Sequence, residues 1–209
     1  MATITDICNA ALSHCGTRSK VSSLDEPSPE ALACTTHFAM ARDATLRAFD
    51  WNFARLTVAL ADLGSPPARW AYRYALPADC VRLRRLNDAP VLKYPETFFE
   101  MAADTDPTGA VISVILTDLS PVSAIYTARV TDPLRWDQGF IDAMAYALAG
   151  RICFELTGKE DRTTALIRLW QMTITGGAAE AANEGSSASR NALPDSLTVR
   201  GYHDPMGTV

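Results

Sequence analysis

Apolar residues recur in this chain at two different periods, and the places where the period changes limit the fold more than any other feature. Ile4, Ile7, Cys8, Ala11, Leu12 and Cys15 return every three or four residues, as do Ala31, Cys34, Phe38, Ala41, Thr45 and Ala48. From residue 55 the step falls to two, with Leu56, Val58 and Leu60, then Trp70, Tyr72, Tyr74 and Leu76, and later Val122, Ala124, Tyr126, Ala128 and Val130. Beyond Asp132 the helical step returns in Phe140, Ile141, Met144, Ala147, Leu148, Ile152 and Phe154. The pattern predicts an α+β fold: a mainly helical, four-helix bundle with an inserted small antiparallel β-domain. Residues 1–54 and 132–185 would form the helical core, 55–131 the β-rich insertion, and 186–209 an extended C-terminal tail.

Local signals mark the ends of these elements. Thr3 and Asp6 have capping-box spacing, and Gly16 stops the first helix. Ser28 followed by Pro29 opens the second, which is expected to end near Asp50-Trp51. Val81 and Leu83 start a third strand, and residues 111–116 read as a buried one, so the middle of the chain is expected to be one small sheet. Asp132-Pro133 announces the third helix, buried nearly all round, and Gly158 closes it. The last helix starts near Arg162 on a stripe of Ala165, Leu166, Leu169 and Met172, with a kink or break expected at Thr173–Gly177.

With 209 residues and 48% apolar side chains, the chain can bury a sizeable core of its own. No apolar run approaches the roughly 20 residues that cross a bilayer, and Met1–Asp6 has no signal-peptide character, so cytoplasmic synthesis without membrane association is expected. The cysteines Cys8, Cys15, Cys34, Cys80 and Cys153 are odd in number, widely spaced and set among apolar residues, a pattern of reduced packing thiols. They form no Cys-x-x-Cys, and His14, His37 and His203 supply no partner at metal-ligand spacing, so no metal site is expected. The net charge of −5 falls wholly on residues 101–209, because the first 100 balance 11 basic against 11 acidic side chains. An acidic surface of that kind repels nucleic acid rather than gripping it.

Signals for catalysis are weak. Gly176-Gly177 lies in a helical region without the Lys-Ser/Thr of a phosphate loop, and no Gly-x-Ser-x-Gly elbow occurs, so neither catalytic residues nor cofactors are expected. Asp104 with Asp106, or Glu160 with Asp161, could supply a carboxylate pair, although solvated loop charges fit them better. The densest basic cluster, Arg82, Arg84 and Arg85, suits contact with a partner or a neighbouring subunit better than contact with nucleic acid. After Glu184 the composition turns to Ser, Gly and Pro, yet Leu193, Leu197, Val199, Tyr202 and Met206 place apolar groups along it. Such a segment is expected to meet a surface, the alternative being a frayed terminus.

Several short motifs come in a recognisable order: Asn9-Ala10-Ala11-Leu12, Ser23-Leu24-Asp25-Glu26, Ala41-Arg42-Asp43, Trp51-Asn52-Phe53-Ala54, and the run from Trp70 to Arg82. Tyr126-Thr127, Asp132-Pro133, Trp136-Asp137 and Leu156-Thr157-Gly158 continue it. In order and spacing this resembles the tail tubular protein A family, head-to-tail adaptors (connectors) of tailed phages and gene-transfer agents, over roughly residues 4–184. The resemblance implies a non-enzymatic subunit at the neck of a virion. It would join copies of itself in a ring, about twelve in better-known members, beneath a portal protein. Downstream tail or stopper proteins follow, and DNA passes through the channel without specific binding. In related adaptors the C-terminal segment reaches into the portal, which would make Leu193, Leu197, Val199, Arg200 and Tyr202 the portal-binding residues. A peptidoglycan-cleaving adaptor and a DNA-packaging accessory protein are the alternatives. Under the adaptor reading, Trp51, Phe53, Trp70, Tyr72 and Tyr74 pack helices onto the sheet, while Arg42 and Asp43 pair locally or between subunits.

Overall fold

The computed structural model describes residues 2–87, 99–106 and 108–184, without the side chains of residues 87 and 177–184. The first helix, α1 (Ile4–Cys15), starts where Thr3 Oγ1 accepts from the Asp6 N–H at 3.1 Å and the Asp6 carboxylate accepts from the Thr3 N–H at 2.8 Å. It ends because Gly16 takes the left-handed conformation, φ 77°, where a side chain would also run into the Arg162 guanidinium. The second, α2 (Pro29–Ala48), is capped by the Ser28 hydroxyl, which accepts from the Ala31 N–H at 3.1 Å.

Six strands follow in the middle: β1 (Arg55–Ala59), β2 (Tyr72–Ala75), β3 (Cys80–Asn87), β4 (Phe99–Thr105), β5 (Val111–Thr117) and β6 (Ser123–Ala128). They form two antiparallel sheets, β1-β6-β3 and β2-β5-β4, rather than the single sheet expected. The second sheet exists because Tyr74 of β2 and Ile115 of β5 turn inward against Leu83, Leu86, Ala124 and Tyr126 of the first. Those side chains make a core of their own, and each sheet needs the other to cover its apolar face. The sequence reading missed β4 altogether. It is a half-exposed edge strand held by its ladder to β5, and its Glu, Ala and Asp residues have low strand propensity of their own.

Two further expectations about the helices are corrected. Asp132-Pro133 opens only the 3-10 turn Pro133–Arg135, and α3 (Gln138–Thr157) waits for a second cap, Asp137, which accepts from the Phe140 N–H at 2.7 Å. The delay has a packing cause. Trp136 is extended, so its ring enters the core and its Nε1 donates to the Val130 carbonyl at 3.1 Å. The last helix, α4 (Glu160–Glu184), begins two residues before Arg162 and runs through Gly176-Gly177 without a break. Each glycine costs about 1 kcal/mol of helix propensity relative to alanine, offset here by the packing of Leu166, Trp170 and Ile174 against the helical core.

The four helices enclose that core. Ile7, Leu12, Cys34, Leu46, Trp51, Phe140, Met144, Leu148 and Ile152 are all buried within it, with α3 lying between the other three. All five cysteines are free, and burial pushes the Cys15 thiol up to about 12 and that of Cys80 up to about 11, which favours the protonated thiol in both. Among the described residues no helix is long and apolar enough to cross a membrane. The aromatic residues divide between two cores. Trp51 and Phe53 pack on Phe140 inside the helices, whereas Tyr74 belongs to the sandwich, with Tyr72 stacked on it at 6.2 Å, and does not join helix to sheet as expected.

The β6 side of the sandwich is tied to the turn before β3. Tyr126, 2% exposed, donates its hydroxyl to Asp79 Oδ1 at 2.9 Å, and burial pushes its pKa up to about 12, so it remains a neutral donor. Tyr126→Phe is expected to cost about 1 kcal/mol, the net worth of one such bond plus the stranded acceptor. A urea titration should show the midpoint move with the slope unchanged; an unmoved midpoint would mean water replaces the bond.

Candidate interaction surfaces

The arginine cluster on β3 lies against the C-terminal end of α2, and its three members do different things. Helix α2 ends without a left-handed cap, leaving its last carbonyls unsatisfied. Arg84 reaches them. Its Nη2 donates to the carbonyls of Leu46 at 3.2 Å, Arg47 at 3.4 Å, and Phe49, while its Nε donates to Thr127 Oγ1 at 2.8 Å. Arg82 adds a bond to the Arg47 carbonyl at 3.0 Å, and Arg47 answers with one to the Val81 carbonyl at 2.9 Å. A cation at this end also complements the helix dipole. Burial lowers the pKa of Arg84, opposed by the Asp50 carboxylate, 3.8 Å from its Nε. Arg85 is exposed, with no bond among the described residues, so its guanidinium is the one of the three left wholly free to meet a partner.

The motif residues read from the sequence act as internal ties. Asn9 clamps the loop after α1 by donating to the Val21 carbonyl at 2.9 Å and accepting from the Val21 N–H at 2.8 Å. Asp43 holds Arg42 at 2.8 Å and Arg129 at 3.0 Å, joining α2 to the exit of β6. Trp51 donates its indole N–H to the Thr45 carbonyl at 2.9 Å.

The candidate reagents are likewise occupied. Asp104 pairs with Arg73, which holds its carboxyl below the usual range, and Asp106 accepts from the Thr108 side chain and from the Thr108 and Ala110 N–H groups in a turn. Glu160 and Asp161 sit in the first turn of α4, where negative charge favours the helix. His14 stacks on Tyr146 at 4.5 Å, with its pKa lowered by burial, and His37 lies 3.6 Å from Glu155. Among the described residues, neither His14 nor His37 has a hydrogen bond to a Ser, Thr or Cys side chain.

What the sequence reading missed is apolar surface. Leu169 and Met172, assigned to the inward stripe of α4, are 42% and 67% exposed, and the inward positions are Leu166, Trp170 and Ile174. Phe154, assigned to a helix buried all round, is 59% exposed. Leu32 and Met40 add to this on α2, and Leu56 and Val58 on the edge strand β1, whose five residues are all exposed. A signal was present: α4 carries apolar residues on two faces, more than one packing partner can cover.

The portal-binding residues expected in the tail, Leu193, Leu197, Val199, Arg200 and Tyr202, lie outside the described residues, as does His203. Among known proteins, no family model matches the chain and no curated protein matches it.

Proposed function

We infer that this chain is a structural subunit of a head-to-tail adaptor, working as one copy in a ring beneath the portal of a tailed phage or phage-like particle. The observation that carries the reading is exposed apolar surface on α2, α3 and α4 of a helical core that is otherwise closed. Large apolar side chains at the surface of a folded subunit cost solubility unless neighbours cover them. A ring gives every copy two such neighbours. The order of motifs along residues 4–184 supports the same reading, and the structure gives those motif residues tasks in holding the subunit together. The acidic second half of the chain suits a channel wall past which DNA must slide. Arg85 is the member of the β3 arginine cluster left for a subunit contact, and the tail supplies Leu193, Leu197, Val199, Arg200 and Tyr202 to the portal.

The test is co-sedimentation of the purified chain with portal rings, comparing the full chain with one that ends at residue 185. Avidity around a ring multiplies weak single contacts, so loss of the tail is expected to lower retention on portals by on the order of 10²-fold while the chain stays folded. Equal retention of both forms would remove the tail from the portal contact, and no retention of either would count against the adaptor reading.

A further inference from the structure

A cleft of about 250 Å³ opens along the packed helices, lined by Ala44 of α2, Tyr146, Gly150 and Arg151 of α3, and Ile167 and Trp170 of α4. Helices α3 and α4 come together closely at its floor, since a Cβ added to Gly150 would stand 3.2 Å from Ile167 Cγ1. Ile167 is 44% exposed at the rim, and Arg151 is exposed with no ion pair among the described residues. Trp170 Nε1 is buried and finds no acceptor among the described residues. An apolar floor and a free cation at one edge fit a short extended peptide with an apolar residue close to a carboxylate.

The chain itself carries such a peptide within reach. Twenty-five residues follow Glu184, the first large apolar one being Leu193 and the first acidic one Asp195. The helix from Trp170 to Glu184 rises ~21 Å, and the nine residues from Glu184 to Leu193 span ~30 Å when extended. A segment turning back along α4 therefore brings Leu193 level with Ile167 and Trp170, with some slack for the turn. Asp195 then falls at the level of Arg151, which sits beside Gly150 opposite Ile167.

We propose that the C-terminal segment of this same chain folds back along α4 and seats Leu193 in the cleft, with Asp195 against Arg151. The tail then has two alternative seats, its own subunit and a partner. The cleft assignment does not depend on what that partner is.

The experiment uses the full chain and a chain ending at residue 185, both labelled with nitrogen-15, with the Trp170 indole signal assigned through Trp170→Phe. Removing the tail is expected to shift that signal and leave those of Trp51 and Trp136 in place. Chymotrypsin cleavage at Leu197 and Tyr202 is expected to accelerate roughly tenfold in Arg151→Glu, because cleavage follows the population of the undocked segment. Adding Asp195→Lys to that variant should restore protection, which a merely structural role for Arg151 would not do. An unchanged Trp170 signal, or a cleavage rate indifferent to Arg151→Glu, overturns the proposal. Protection that grows with protein concentration assigns the cleft to the tail of a second copy and overturns the same-chain form. Portal retention is a separate measurement, so failure here leaves the adaptor reading to its own test.

Discussion

Phe140→Ala is expected to destabilise the chain by about 3–5 kcal/mol, enough to leave a large fraction unfolded at physiological temperature. The ring is fully buried on α3 at the centre of an aromatic cluster, with Trp51 at 5.2 Å, Phe53 at 5.2 Å and Trp136 at 5.0 Å, all meeting it edge to face. Truncation removes the transfer free energy of a phenyl group and leaves a cavity. Its walls are held by bonds of their own, Trp51 to the Thr45 carbonyl and Trp136 to the Val130 carbonyl, so they cannot collapse into the space. Phe154→Ala on the same helix is the internal control: at 59% exposure it should change stability by less than about 0.5 kcal/mol. Denaturant melts of the two variants check the pair, and similar losses in both would mean that the core does not centre on Phe140. If the exposed face of α3 meets a neighbour in the assembly, Phe154→Ala should weaken ring formation while leaving the melt alone.

That pair also shows how far periodicity carries a reading. The spacing of apolar residues on α3 places Phe140 and Phe154 alike, because a helix that is apolar nearly all round has no sequence mark for the side its neighbours leave open. Which side stays open is set by tertiary packing. With α1, α2 and α4 all against α3, its exposed strip is fixed by how the three are arranged, and Phe154 falls there. Capping chemistry reads better because it is local: Thr3, Ser28, Gly16 and Gly158 each act through backbone groups within a few residues. Asp132-Pro133 misled for the same local reason, since it caps a real turn, and only the burial of Trp136 makes the chain start α3 later. The pairing of six strands into two sheets was not legible either. Strand β4 takes its conformation from β5, and an edge strand with one covered side needs no strict alternation of its own.

The arginine cluster on β3 separates what a sequence can say from what a structure must. Three basic residues in four positions read as a charged face, because a strand puts Arg82 and Arg84 on one side. The side chains prove unequal: α2 ends beside β3 with carbonyls that no left-handed residue satisfies, and Arg84, with five donors in a planar fork, can serve several at once. Arg84→Met keeps the aliphatic stem and removes the fork, stranding the carbonyls of Leu46 and Phe49 and the Thr127 hydroxyl in a place only partly open to water. The expected cost is about 2–3 kcal/mol, the sum of lost charge-assisted bonds and the helix-end charge, reduced because the Arg47 carbonyl keeps Arg82. Arg84→Lys should recover less than half of it, since an ammonium cannot span the same set of acceptors. Arg85→Ala, by contrast, should leave the melt within about 0.5 kcal/mol of the parent and act only on assembly. Thermal unfolding of the three variants beside the parent decides the matter. A destabilised Arg85→Ala with an unchanged Arg84→Met would reverse the roles assigned here, and would return Arg84 to the surface as a contact for a partner.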